Sequence, residues 1–280
     1  MNLVKKGDIY ISDLTHTEQG IVARVFPLGA SCIYSYAKEK LGSEFNFRLF
    51  KFPKNLNDAL VEKSPKVLGF SNFVWNFNIS YKFSSVAKQR DPNTIIVWGG
   101  PNFPTEENEK KEFLKKWPVI DFYIELEGEL GFVDLIKKLN KYNFNKSELI
   151  KNREKIANTC YLDKDDLVTG NISRINDVNI VPSSYLNGAM DEFFNHPILP
   201  IIETTRGCPF SCAFCADGNA SKNIVHRYDP QRVKDELNYI AKRVKNVNEL
   251  HLADLNFGMY KQDIFTAKMI ADTCQKFGFP

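Results

Sequence analysis

The stretch Glu203–Gly218 reads ETTRGCPFSCAFCADG and places Cys208, Cys212 and Cys215, half of the chain's six cysteines, within eight residues. The apolar run ILPII at 198–202 predicts a short buried strand, and the Arg-Gly pair that follows predicts the turn leaving it. We therefore expect the cysteines in a loop just past a strand end. Thiolates are soft ligands suited to zinc, copper(I) and iron–sulfur clusters, so this loop is a candidate metal centre.

Three thiolates leave a four-iron cluster one protein ligand short, and an open coordination position is typical of a site that activates a bound molecule. Two alternatives stay open: a zinc site completed by His226, or cysteines that pack in a core. A disulfide is less expected, because the charged start at Met1 resembles no signal peptide and predicts a reducing cytoplasm. The isolated Cys32, Cys160 and Cys274 are interpreted as packed apolar residues.

The spacing C-x-x-x-C-x-x-C, with Phe214 before the third cysteine, resembles the signature of the radical S-adenosylmethionine (radical SAM) enzymes. The resemblance implies that Cys208, Cys212 and Cys215 are the metal ligands of a [4Fe–4S] cluster. It further implies that S-adenosyl-L-methionine (SAM) chelates the fourth iron and that Phe214 contacts SAM.

The composition is that of an ordinary globular protein. Of the 280 residues, 43% are hydrophobic and 25% charged, and the net charge of +3 comes from 37 basic and 34 acidic residues mixed along the chain. This pattern argues against a nucleic-acid partner, and no apolar run reaches the length of a membrane span.

Strand-like and helix-like segments alternate through the first half of the chain. Strands are predicted at Asp8–Leu14, Phe45–Phe52, Lys66–Ser71, Thr94–Trp98 and Asp121–Leu126. Helices are predicted at Leu28–Leu41, Leu56–Glu62, Tyr81–Gln89, Glu106–Lys116 and Glu129–Leu139. Five strands separated by helices predict an α/β fold with a doubly wound, mostly parallel sheet.

Ligands of such sheets bind outside the carboxyl ends of the strands. Three features follow the predicted strands here: glycines without a blocking side chain, hydrogen-bonding groups and a flat apolar ring. Together they indicate a crevice for a large planar ligand. The alternative is that the glycines only make turns. The candidate contacts are Thr15, His16, Ser71, Asn72, Trp75, Asn76, Gly99, Gly100, Pro101, Glu127 and Gly128.

The segments PLG at 27–29, GFSNFVWN at 69–76, VWGGPN at 97–102 and ELEGE at 125–129 are similar, in this order, to the cobalamin-binding domain that precedes many radical SAM barrels. The resemblance implies a Rossmann-like domain at 1–145 whose candidate contacts bind cobalamin. Many such domains carry D-x-H-x-x-G, and the spacing around His16 differs. We therefore expect an open lower cobalt face, with ligation by His16 as the alternative.

The rest of the chain is interpreted as a connector and a barrel. Residues 146–197 predict a connector with a hairpin, and 198–280 resemble the first part of a radical SAM (β/α) barrel. In that family the end of the second barrel strand meets SAM, which makes Asp254 and Asn256 candidates; the alternative is a loop carboxylate that caps the next turn. Because this region supplies only two of the barrel's units, we expect a truncated barrel and little activity from residues 1–280 alone.

The resemblance implies a cobalamin-dependent radical SAM methyltransferase that acts on an unactivated carbon through a 5′-deoxyadenosyl radical. The alternatives are a radical SAM enzyme of another type, such as ring contraction or methylthiolation, and a non-catalytic cobalamin-binding module. The expected partners are a small-molecule substrate and an electron donor such as flavodoxin or ferredoxin, with no nucleic acid and no membrane. The expected location is cytoplasmic.

Overall fold

The computed structural model of the chain describes residues 7–17, 20, 24–215, 217, 218 and 223–280. The charged N-terminal residues used to predict the location lie outside these ranges. The chain divides into two compact units, of which the first comprises Met1–Ala23 and Tyr36–Arg174. The second comprises Arg24–Ser35 and Ile175–Pro280.

The first unit contains a seven-stranded sheet in the order β2-β1-β3-β4-β5-β6-β7. Its strands are β1 Gly7–Ser12, β2 Phe45–Phe50, β3 Val67–Ser71, β4 Ile95–Gly99, β5 Phe122–Ile124, β6 Thr159–Asp163 and β7 Asp166–Thr169. The first five strands are parallel to one another, and β6 and β7 are antiparallel additions at one edge. The predicted hairpin is therefore present, and it extends this sheet.

The helices between these strands follow the predicted alternation. They are α1 Leu28–Leu41, α2 Pro53–Glu62, α3 Phe77–Arg90, α4 Glu107–Lys116, α5 Gly128–Lys141 and α6 Lys146–Lys151. The predicted bounds of α1 agree with the structure at both ends. Strand β5 is shorter than predicted, because the Asp121 carboxylate accepts from the Ile96 backbone N–H at 2.7 Å and Leu126 takes a left-handed φ of 53°.

The two faces of the sheet bury different helices. Leu68, Trp98 and Tyr123 belong to a buried cluster that also contains apolar residues of α2, α3 and α4. On the opposite face, the Phe132 side chain of α5 lies 3.5 Å from where a Cβ at Gly69 would stand. Helices on both faces of a largely parallel sheet are the doubly wound arrangement.

The second unit contains a parallel strand pair connected through a helix. Its elements are β8 Ile201–Ile202, β9 Thr205–Arg206, β10 His226–Arg227, α7 Pro230–Ala241, β11 His251–Leu252 and α8 Lys261–Phe277. Strands β8 and β11 pair in parallel, and β9 pairs antiparallel with β10. The predicted cap of α7 is present, since the Asp229 side chain accepts from the backbone N–H groups of the next turn. Among the helices described, none is long and apolar enough to cross a membrane.

Candidate functional site

A buried polar network lies at the carboxyl ends of β1, β2 and β3. The Asp13 carboxylate accepts from the Lys51 ammonium at 2.8 Å and from the Ser71 hydroxyl at 2.5 Å. The Asn76 amide donates to this carboxylate at 3.3 Å and to the Ser71 hydroxyl at 2.8 Å. The Lys51 side chain is only 1% exposed, so its charge depends on Asp13. Two predicted cobalamin contacts, Ser71 and Asn76, are thus engaged in holding strand ends together.

A second network joins the ends of β3 and β4 to Tyr123 in the middle of β5. The Asn72 amide donates to the Tyr123 hydroxyl at 2.9 Å, and this hydroxyl donates to the Gly100 carbonyl at 2.8 Å. Burial raises the pKa of Tyr123 far above its usual value, which keeps the hydroxyl a donor. Gly100 has φ 133°, and a Cβ there would stand 2.6 Å from the Asn72 carbonyl oxygen. The glycine is therefore needed for the close approach of two loops.

Three of the other predicted contacts, Trp75, His16 and Pro101, are exposed at the surface of the first unit. The Trp75 ring is 50% exposed and stacks on Phe73, with centroids 4.6 Å apart and an interplanar angle of 8°. His16 and Pro101 are exposed, whereas Thr15 is buried. Trp75 is thus the flat apolar surface that the sequence analysis assigned to a planar ligand.

The predicted contact Glu127 is engaged in a buried ion pair. Its carboxylate accepts from Nε and Nη2 of Arg174 at 3.0 and 2.8 Å, and the two side chains are 8% and 13% exposed. Gly128, also predicted, is the first residue of α5. Arg174 was missed by sequence reasoning, since 47 positions separate the partners and no local pattern joins them.

The three-cysteine segment lies between β9 and β10 in the second unit. Cys208 is half-buried, Cys212 and Cys215 are exposed, and all three thiols are free. The Cys215 N–H donates to the Cys212 carbonyl at 3.1 Å, and the Gly218 N–H donates to the Cys215 carbonyl at 3.0 Å. Cys215 and Gly218 thus each bond to the residue three positions earlier in the chain. Phe214 is 93% exposed.

Within the described ranges, no group of three or more His, Cys, Asp or Glu side chains is arranged to hold a metal ion. The donor set nevertheless fits an iron–sulfur cluster with one open iron, because three accessible thiols share one segment. Cys32 and Cys160 are 4% and 0% exposed, as expected of packed residues, and burial raises the pKa of the Cys160 thiol. The same expectation for Cys274 is wrong, since this residue is exposed.

The end of β11 contacts the start of the cysteine segment. The Asp254 carboxylate accepts from the backbone N–H groups of Thr204 and Thr205 at 2.6 and 3.1 Å, and from the Thr204 hydroxyl. The Asn256 amide donates to the Cys208 sulfur at 3.1 Å. Of the three predicted SAM contacts, Asn256 thus bonds a candidate metal ligand, Asp254 bonds the backbone that precedes these ligands, and Phe214 is exposed.

A third network, which sequence reasoning missed, spans the two ends of the cysteine segment. Glu203 and Arg206 form an ion pair at 3.0 Å, and the Tyr228 hydroxyl donates to Glu203 at 3.0 Å. Tyr228 follows β10, in which His226, the alternative zinc ligand, lies opposite Arg206. Nothing in the local sequence marks this tyrosine, because its partners are on the far side of the segment.

No protein-family model matches the chain. The chain is 28% identical over 268 residues to the cobalamin-dependent radical SAM methyltransferase TokK of Streptomyces tokunonensis, a match that covers 91% of this chain and 37% of that protein. It is 28% identical over 269 residues to 2-(S-pantetheinyl)-carbapenam-3-carboxylate methyltransferase of Streptantibioticus cattleyicolor, again covering 91% and 37%. The chain therefore spans little more than a third of the length of these relatives.

One solved structure with the same fold is the cobalamin-dependent S-adenosylmethionine radical enzyme OxsB with aqua-cobalamin and S-adenosylmethionine bound. It matches with a TM-score of 0.68 at 18% identity, over 96% of this chain and 36% of that one. The predicted fold class, an α/β protein with a Rossmann-like doubly wound sheet, is confirmed by this likeness and by the strand order. In sequence, the chain is similar over nine tenths of its length to a cobalamin-dependent radical SAM methyltransferase.

Proposed function

We propose that this protein is a cobalamin-dependent radical SAM enzyme that methylates an unactivated carbon of a small-molecule substrate. The observation that carries the proposal is the segment with three accessible thiols, in a chain whose similarity to TokK covers 91% of its length. The Rossmann-like sheet of the first unit supports it, because the carboxyl ends of its strands are where such sheets bind ligands.

In this proposal Cys208, Cys212 and Cys215 hold a [4Fe–4S] cluster, while Phe214, Asp254 and Asn256 lie on the SAM side of the site. Asp254 fixes the backbone that leads into the cysteine segment, and Asn256 orients the Cys208 sulfur. When bound, the cluster with SAM would supply a hydrogen-abstracting radical, and cobalamin would supply the methyl group.

The cobalamin contacts belong to the first unit. Trp75 offers the exposed flat surface, and Gly100 permits close backbone approach. Ser71, Asn76 and the buried Asp13 keep the strand ends in place. The remaining contacts proposed for this ligand are Thr15, His16, Asn72, Gly99, Pro101, Glu127 and Gly128.

The proposal extends to organisation and partners. The domain bounds 1–145, 146–197 and 198–280 stay predictions, as do a flavodoxin- or ferredoxin-like electron donor and a cytoplasmic location. The absence of a nucleic-acid partner is also kept as a prediction.

The metal centre is tested by anaerobic reconstitution with iron and sulfide. We expect the wild-type chain to bind about four irons, and the triple Cys→Ala variant at 208, 212 and 215 to bind almost none. Cys274→Ala is the matched control, because Cys274 is also exposed and free but lies in α8. Equal iron in the triple variant and this control would reject the three-cysteine assignment.

The cobalamin site is tested by retention of hydroxocobalamin on the desalted protein. We expect Trp75→Ala to lower retention, whereas Val61→Ala, an exposed apolar residue of α2, leaves it unchanged. No retention by the wild-type protein would reject cobalamin binding. With a loaded protein that cleaves SAM, transfer of a deuterated methyl group from SAM distinguishes methylation from other radical outcomes.

A further inference from the structure

We propose that Tyr228 is a positioning residue that, with Glu203 and Arg206, holds together the two chain ends that flank the cysteine segment 207–225, so that Cys208, Cys212 and Cys215 bind one metal centre. The inference rests on the proposed metal function and adds to it the side chains that shape the segment. None of Tyr228, Glu203 and Arg206 is a predicted ligand.

The three side chains form a closed hydrogen-bonded set. Glu203 Oε2 accepts from the Tyr228 hydroxyl at 3.0 Å, and from Nη2 and Nε of Arg206 at 3.0 and 3.1 Å. Nη2 of Arg206 also donates to the Tyr228 hydroxyl at 3.1 Å. The hydroxyl therefore donates to a carboxylate and accepts from a guanidinium, which fixes its orientation. Charge-assisted bonds of this kind are stronger than neutral ones.

The set is shielded from water. Tyr228 is 5% exposed, and the Arg206 and Glu203 side chains are 16% and 19% exposed. From α7, the Arg232 guanidinium lies over the Tyr228 ring at 4.5 Å, and it pairs with Glu236 at 3.0 Å. The ring is thus packed under a side chain of α7, while its hydroxyl bonds Glu203 and Arg206 before the cysteine segment.

The backbone ladder at this point is short. Strands β9 and β10 have two residues each, and the Tyr228 N–H adds one bond to the Thr204 carbonyl at 3.1 Å. Such short hairpins are marginal in water. Glu203 and Arg206 precede the segment and Tyr228 follows it, so their side-chain bonds join both ends where the ladder alone is weak.

Holding the two ends of a segment together raises the effective concentration of its side chains near one another. Asp254 and Asn256 hold only the start of the segment, through Thr204, Thr205 and Cys208. The Tyr228 hydroxyl holds its end against Glu203. Loss of this bond lets the end move relative to Cys208, and the three thiols then bind a metal less tightly.

The test is anaerobic titration of the metal-free full chain with Cd²⁺, followed by thiolate-to-cadmium charge-transfer absorbance. Tyr228→Phe keeps the ring and its contact with Arg232 and removes only the hydroxyl. We expect the affinity to fall about tenfold, the effect of losing one hydrogen bond to a charged group. A purely structural role would leave this thiolate signal unchanged.

Tyr239→Phe is the matched control. The Tyr239 hydroxyl of α7 donates to Asp191 at 2.7 Å, and the Arg243 guanidinium carbon lies 3.4 Å from the centre of its ring, so this tyrosine also joins a carboxylate and an arginine. It spans no cysteine segment, and its Cd²⁺ affinity should equal that of the wild type.

The outcomes separate the inference from the proposed function. If the triple cysteine variant gives the same Cd²⁺ signal as the wild-type chain, the proposed metal centre is wrong, and this inference is wrong with it. A cysteine-dependent signal that is equally strong in Tyr228→Phe overturns the positioning role alone. Should Tyr228→Phe lose the wild-type circular dichroism spectrum, Glu203→Gln replaces it, because it removes the charge that strengthens the bonds from Tyr228 and Arg206. Unchanged Cd²⁺ affinity there also overturns the role.

Discussion

Removing the Asp13 carboxylate should strongly destabilise the first unit. Asp13→Ala leaves the Lys51 ammonium, whose side chain is 1% exposed, without its partner at 2.8 Å. Breaking one side of a buried ion pair costs about 3–5 kcal/mol. Because Asp13 is itself 14% exposed, water partly reaches the pair and the lower value of about 3 kcal/mol applies. For a unit of this size that corresponds to a loss of about 6–12 °C in Tm.

Tryptophan fluorescence during urea unfolding measures this effect in the first unit alone, because Trp75, Trp98 and Trp117 all belong to it. Asp58→Ala is the matched control: its pair with Lys54 is exposed to solvent, so we expect almost no change in the free energy of unfolding.

A double variant separates loss of the pair from an isolated buried charge. Asp13→Ala with Lys51→Met removes both charges and should recover most of the stability lost in Asp13→Ala. The reasoning is refuted if Asp13→Ala costs no more than the Asp58 control, or if the double variant is less stable than Asp13→Ala.

Three further predictions concern single residues. Gly100→Ala should lower the unfolding free energy by more than about 1 kcal/mol, because φ is 133° and the new Cβ would stand 2.6 Å from the Asn72 carbonyl oxygen; Gly29→Ala, with open space around it, should not. Burial raises the pKa of Tyr161 to about 12. The tyrosine therefore ionises first in the unfolded chain, and the free energy of unfolding falls as the pH rises from about 10 to about 12. Tyr161→Phe should make this fall smaller in urea titrations at successive pH values. Asp254→Ala should speed hydrogen exchange of the Thr204 and Thr205 amides by about tenfold or more, since both lose their acceptor; unchanged exchange would contradict the contact.

Local patterns were sufficient for most elements of the fold. The bounds of α1 and the Asp229 cap of α7 were predicted from apolar spacing, a glycine stop and an Asp-Pro pair. These signals act within one or two helical turns, so they can be recognised in the sequence without knowledge of tertiary contacts. The alternation of strands with helices then restricted the fold to a doubly wound sheet.

The sequence did not predict which protein groups the side chains at the strand ends would bond. Ser71 and Asn76 were predicted as ligand contacts from their place after β3, and their bonds to Asp13 span 58 and 63 positions. The ion pair of Glu127 with Arg174 and the hydrogen bond of Tyr228 with Glu203 are equally non-local. The sequence around a polar residue that follows a strand does not show whether its side chain contacts a ligand or another strand end.

The sequence by itself thus determined the strand and helix order, and it singled out the three-cysteine segment, because periodicity and spacing are properties of neighbouring residues. Only the tertiary structure decided that the hairpin β6–β7 completes the first sheet, that Lys51 is buried against Asp13, and that Tyr228 joins the two ends of the cysteine segment. Each of these depends on which distant backbones approach one another, and that choice is made by packing of the whole unit.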